Sequence, residues 1–127
     1  LYGGVGYKDR VPEMDWEFCG YEDTTYGASK REWVRTVLDR ELPCRFRADD
    51  TETVRQFIAA GHGVGVLPRY FGDRDDELEL IHADVEGRSR ESVWMVVHPD
   101  MRRSPGVRLV MDALIKAANN IAEEYQV

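Results

Sequence analysis

DDTETVRQFIAAGHGVGVLP, residues 49–68, carries a capped helix, a glycine break and a short apolar strand. Thr51, or Asp50 one residue earlier, is placed to cap the helix, because either side-chain oxygen can accept from a free first-turn N–H. Val54, Phe57 and Ile58 fall at i, i+3 and i+4 and make one apolar stripe. Gly61 follows the last periodic residue, where a left-handed C-cap favours a residue without Cβ. Val64, Val66 and Leu67 form an apolar run that Pro68 ends, the pattern of a strand covered on both faces. Between them, Gly61-His62-Gly63-Val64-Gly65 exposes backbone that a ligand can approach closely, which makes Gly61 and Gly63 candidate contacts.

Outward from this stretch, strands alternate with helices. Upstream, Val5–Arg10 is compatible with one helical turn, and Trp16–Tyr21 alternates as a strand. Glu22–Ala28 reads as a polar loop. Ser29 is placed to cap the next helix, with Glu32 completing a capping box. Trp33, Val34, Val37 and Leu38 give that helix its stripe, Pro43 ends it, and Cys44–Ala48 is a strand. Downstream come a helical turn over Pro68–Gly72, a charged loop at Arg74–Glu77, a strand over Leu78–Ile81 and a long turn over His82–Arg90. Val93–Val97 reads as a strongly apolar strand. Ser104-Pro105 opens the last helix, since proline is tolerated in a first turn. That helix is the most regular in the chain, with Val107, Val110, Met111, Leu114, Ile115, Ala118 and Ile121 spaced by three and four. The alternation predicts an α/β sheet with crossover connections.

The chain has 127 residues, 43% of them hydrophobic, and a net charge of −7. That is enough for one domain with a real core. An acidic chain with scattered arginines is a poor DNA ligand by itself. It contains no apolar stretch of about 18 residues, so no membrane span is expected. Two cysteines, Cys19 and Cys44, are too few for a disulfide scaffold and are expected to be buried thiols of a cytoplasmic protein. The chain begins at Leu1 rather than Met, as expected of a fragment or a processed product.

Catalytic and cofactor motifs are weak. Gly61-x-Gly63-x-Gly65 leaves a helix and enters a strand, the reverse of a dinucleotide-binding turn. His62, His82 and His98 do not pair at helical spacing, and no carboxylates join them, so no metal site is expected. There is no G-x-S-x-G elbow. No cofactor and no catalytic residue is therefore assigned. The better site is Glu22-Asp23-Thr24-Thr25-Tyr26-Gly27, which follows a strand and precedes a helix, where open α/β sheets bind ligands. Thr24, Thr25 and Tyr26 are its candidate contacts. Arg102, Arg103 and Arg108 gather near the start of the last helix, where cations oppose the helix dipole.

Taken in order, DTETVRQFIAAGHGVGVLPRYF and VWMVVHPDMRRSPGVRLVMDALIKAA resemble the effector-binding domain of LysR-type transcriptional regulators. The short strand around Trp16 matches as well, so the resemblance covers nearly the whole chain. It implies a type 2 periplasmic-binding-protein-like α/β fold: two lobes, two crossover strands and a cleft between the lobes. By that template residues 1–86 are the second lobe, and residues 93–127 are the return crossover strand and closing helix of the first lobe. The DNA-binding winged helix-turn-helix and the front half of the first lobe are expected to be absent. The resemblance also implies a small-molecule effector in the cleft, a homo-oligomer, and DNA contact only through the missing N-terminal domain. Asp50 and Thr51 face the cleft in that picture, beside Thr24–Tyr26. A stand-alone solute-binding module of the same fold is the alternative expectation. The long apolar stripe of the last helix is expected to be covered, by the remaining lobe or by a second copy.

Overall fold

The computed structural model describes residues 1–84 and 92–125 and divides into two units, Leu1–Arg90 and Glu91–Val127. In unit 1 the elements are β1 (Tyr2–Gly4), α1 (Tyr7–Arg10), a 3-10 turn (Glu13–Asp15), β2 (Phe18–Tyr21), α2 (Thr25–Leu38), β3 (Cys44–Ala48), α3 (Thr51–Ala59), α4 (Arg69–Gly72) and β4 (Leu78–Leu80). Unit 2 holds a 3-10 turn (Met101–Arg103) and α5 (Pro105–Glu124). The expected turn over His82–Arg90 falls largely on residues 85–91, outside the described residues, and so does the boundary placed at Glu86.

The glycine-entered segment is the centre of unit 1. β1 pairs antiparallel with β4, and β2 pairs parallel with β3. Val64 and Gly65 join the two ladders. Gly65 exchanges hydrogen bonds with Tyr2 (2.8 and 2.9 Å), while Val64 accepts from Cys19 N–H (2.8 Å) and donates to Glu17 (2.9 Å). The segment therefore runs parallel to β2, at the middle of the sheet, as the apolar run predicts. It is held there by two isolated bridges, one to each neighbouring strand, Phe18 to Val64 and Tyr2 to Gly65.

Alternation of side chains sends the core to both faces of this sheet. Phe18, Val64 and Val66 join Trp33 and Val34 of α2 and Trp16 on one face. Tyr2, Cys19, Tyr21 and Leu67 join Val54 and Ile58 of α3 on the other. Burying one such apolar side chain contributes roughly 1.5–3 kcal/mol. Gly65 fits only because it lacks a Cβ, which would meet Ile58 Cδ1 at 2.6 Å and the Cys19 carbonyl oxygen at 2.7 Å. Polar ties lock the periphery. Arg55 on α3 pairs with Glu52 (3.0 Å), Asp75 (2.7 Å) and Glu77 (3.3 Å), and its affinity for the proton is raised, first by the Asp75 bond. Tyr2 donates its hydroxyl to Asp73, which also holds Arg69 at 2.8 Å.

Two expectations change. α2 starts four residues before the predicted Ser29 cap. Thr24 caps it, its hydroxyl accepting from Gly27 N–H at 3.2 Å, and the loop contracts to Glu22–Thr24. Ser29 instead donates to the Tyr26 carbonyl at 2.8 Å, and Glu32 pairs with Arg35 at 2.6 Å. The local cause is Gly27, where an added Cβ would fall on the Glu22 carbonyl oxygen. The earlier start winds the chain that tightly and extends the apolar stripe back to Tyr26.

The second change is in unit 2. The return strand expected at Val93–Val97 is not formed: residues 92–98 make no ladder with any described residue. β-propensity expresses packing against a neighbouring strand, so an apolar run without one has nothing to pair with. Val93 is 91% exposed and Trp94 83%. α5 does form, opened by Ser104-Pro105 as predicted, although Ser104 makes no side-chain cap. No residue of α5 is buried, and Leu109 stays 73% exposed.

Candidate functional site

Parallel pairing puts the carboxyl ends of β2 and β3 side by side. β2 ends at Tyr21 and β3 at Ala48, which are register partners. Glu22 N–H donates to the Ala48 carbonyl at 3.0 Å, tying the two exit loops together. From these loops α2 and α3 both start, so two helix N-termini sit at one end of the sheet. Open α/β sheets bind ligands beyond the carboxyl ends of their strands, and first-turn amides present N–H donors there.

Each start is capped from within. Thr24 serves α2, and Asp50 serves α3, its Oδ1 accepting from Thr53 N–H at 2.8 Å. Hydrogen bonds from Thr53 hold the Asp50 carboxyl below the usual carboxylate range. Of the two cap positions the sequence allows, Asp50 is the one used, and Thr51 becomes the first helical residue, half-buried. Thr25 is the first residue of α2. Tyr26 is half-buried and stands edge-on to Tyr21, with ring centroids 4.8 Å apart. Thr24, Thr25, Tyr26, Asp50 and Thr51 therefore gather at one end of the sheet.

Gly61 and Gly63 belong to the opposite end. α3 runs from Thr51 to Ala59, about 13 Å at 1.5 Å per residue, and returns the chain to the amino end of β2. There Gly61 takes a left-handed φ of 78°, as a helix-terminating residue does. Gly63 passes so close to Glu17 that a Cβ would fall on its carbonyl oxygen. The glycine loop thus ends a helix and lets two backbones meet, away from the exit loops.

Four charged residues at the exit loops, Asp23, Lys30, Arg31 and Arg47, are not among the contacts expected from the sequence. Asp23 accepts from Arg31 of α2 at 2.7 Å and from Arg47 of β3, bridging helix and strand. Its carboxyl is held below the usual range, first by the Arg31 hydrogen bond. Lys30 is 5% exposed, with Nζ 4.8 Å from the centroid of the Tyr26 ring. The available signal was helical spacing from the true start: Tyr26 and Lys30 are i and i+4, visible only once the helix begins at Thr25.

The other chemistry-bearing groups lie elsewhere. His62 packs against Phe46 at 4.8 Å, and His98 lies 3.6 Å from Asp100 in unit 2. Cys19 is buried, and burial pushes its thiol up to about 12, so it is protonated at neutral pH. Among the described residues no three His, Cys, Asp or Glu side chains gather as a metal site, and no helix is long and apolar enough to cross a membrane.

Compared with known protein families, the chain matches the LysR substrate binding domain over residues 15–119. No curated protein and no solved structure matches the chain. The match spans most of the sequence, and the chain belongs to the LysR substrate-binding domain family.

Proposed function

We propose that this LysR-type substrate-binding domain senses a small polar effector at the carboxyl ends of β2 and β3. The observation that carries the reading is the convergence of two helix N-termini on exit loops joined by the Glu22–Ala48 hydrogen bond. Thr24 and Thr51 offer hydroxyls, the first turn of α2 offers amides, and the half-buried Tyr26 offers apolar ring surface. Asp50 is engaged as a cap and Asp23 is neutralised by two arginines. The ligand accordingly binds through oxygen atoms that accept from threonine and amide donors.

In this reading residues 1–86 form the second lobe of the effector domain. Residues 93–127 supply the crossover segment and closing helix of the first lobe, and the effector lies in the cleft of the intact regulator. Binding shifts the lobes and the oligomer because the ligand prefers one of two states. DNA is contacted by a separate N-terminal domain, and the regulator is cytoplasmic. The exposed apolar face of α5 supports an oligomeric or lobe-covering role for that helix.

The test is a thermal-shift screen of hydroxylated and carboxylated small molecules against the chain and its Thr24→Val and Thr51→Val variants. A true effector raises the Tm of the parent chain and raises that of either variant less. An equal rise in all three chains sinks the assignment of the exit loops.

A further inference from the structure

The arginines around the start of α5 form a second candidate site, independent of the exit loops. Arg102, Arg103 and Arg108 line a cavity of about 340 Å³ with Met111 and Asp112. Its volume is at the lower end of the range for small-ligand sites, about 300–1,000 Å³. The three arginines are exposed and Met111 is half-buried. Among the described residues none of these arginine side chains has an ion-pair or hydrogen-bond partner. Elsewhere in the chain Arg31, Arg35, Arg45, Arg47, Arg55 and Arg69 each hold a carboxylate. Unpaired arginines converging on one cavity are therefore unlike the other described arginines of this acidic protein.

Their placement is also unfavourable in the free chain. Three guanidinium groups repel one another, and cations near a helix start oppose its dipole. A bound anion would relieve both. Guanidinium forks match the oxygens of phosphate and carboxylate groups, and pairs of such bonds are strong. The three arginines set against Asp112 leave two net positive charges, the complement of a dianion. The net charge of −7 on the whole chain opposes a nucleic-acid duplex as the occupant. We infer that this cavity binds the phosphate or pyrophosphate group of a small molecule through Arg102, Arg103 and Arg108.

The experiment is a titration of the chain with inorganic phosphate and with pyrophosphate, followed by NMR of backbone amides and arginine Nε–H groups. Ionic strength is held constant with chloride. The expected result is a saturable shift confined to residues 102–112. In the Arg103→Gln/Arg108→Gln chain affinity falls by about tenfold or more. In Asp112→Asn it rises by roughly threefold, since one repulsive charge is removed. Thr24→Val leaves the titration unchanged, which separates this site from the effector reading. Shifts that follow total ionic strength, or that survive the double substitution with helicity intact, overturn the inference. So does a short DNA duplex that saturates these residues where pyrophosphate does not.

Discussion

Unit 1 and unit 2 contain apolar patterns of similar quality and treat them differently. Every buried apolar side chain among the described residues lies between Leu1 and Leu78. α5 has the most regular stripe in the chain and buries none of it, and Val93–Val96 stays exposed shortly before it in sequence. In unit 1 each patterned element meets another: the sheet has α2 against one face and α3 against the other. Periodicity states which face of an element is apolar. Whether that face is buried depends on a second layer being present. The same contrast separates the tryptophans, with Trp16 and Trp33 buried in unit 1 and Trp94 exposed in unit 2.

The sharpest way to break this comparison is a matched truncation. Ile58→Ala empties a fully buried site between α3 and the sheet, and is expected to destabilise unit 1 by about 2–5 kcal/mol. Leu114→Ala, at a position 55% exposed on α5, is expected to cost under about 0.5 kcal/mol in the monomer. Urea unfolding followed by tryptophan fluorescence and far-ultraviolet circular dichroism measures both. Equal losses at the two positions would mean that α5 is packed in solution.

Glycines give the next contrast. Gly63→Ala places a Cβ on the Glu17 carbonyl and is expected to cost about 1–3 kcal/mol through forced backbone movement. Gly106→Ala, in the first turn of α5, meets nothing within 4 Å and has an ordinary helical φ. It should stabilise the helix by up to about 1 kcal/mol. Opposite signs for one chemical change, read in the same denaturant titration, would sharpen the distinction between a packed and an unpacked backbone.

Caps come third. Thr24→Ala removes the acceptor for Gly27 N–H and is expected to lower unit 1 stability by about 1 kcal/mol. Ser104→Ala, at a cap without a side-chain hydrogen bond, should leave the helicity of α5 nearly unchanged. Circular dichroism melts of the two variants test this pair.

The smallest expected effect is a pH dependence confined to unit 1. The Asp50 carboxyl is held below its ordinary value in the folded chain, so its contribution is full above the unfolded carboxylate range, near pH ~4. That contribution declines as pH falls towards the folded value, where both states become protonated. Asn caps a helix about as well as Asp and does not titrate here. Asp50→Asn should therefore flatten the acid limb of the stability profile seen by Trp16 and Trp33. An unchanged acid limb would locate that dependence in other carboxylates.

Much of unit 1 was legible because its signals are local. Asp50 or Thr51 as a cap, Gly61 as a helix end and Val64–Leu67 as a doubly covered segment follow from residue chemistry over a few positions. The α2 start was misplaced because two cap signals compete within six residues, Thr24 and Ser29-x-x-Glu32. The deciding contact, Gly27 against the Glu22 carbonyl, is a packing fact of the folded loop. Part of the candidate site was legible by the same logic: a polar loop after a strand pointed to Thr24, Thr25 and Tyr26. Asp23 with its two arginines was not, since Arg47 is far along the chain and reaches Asp23 only through parallel pairing of β2 and β3.

By itself, then, the sequence determined the alternation of helix and strand from β2 to β4, the helix stop at Gly61 and the apolar faces, all set by spacing and backbone permissiveness, while its ordered motifs carried the family resemblance. Tertiary structure alone decided which apolar faces are covered, that Gly61 and Gly63 lie at the opposite end of the sheet from Thr24 and Asp50, and which charges pair. The physical reason is common to all three. Burial, sheet register and ion pairing join residues distant in sequence, and their energy exists only once a second element occupies the facing layer.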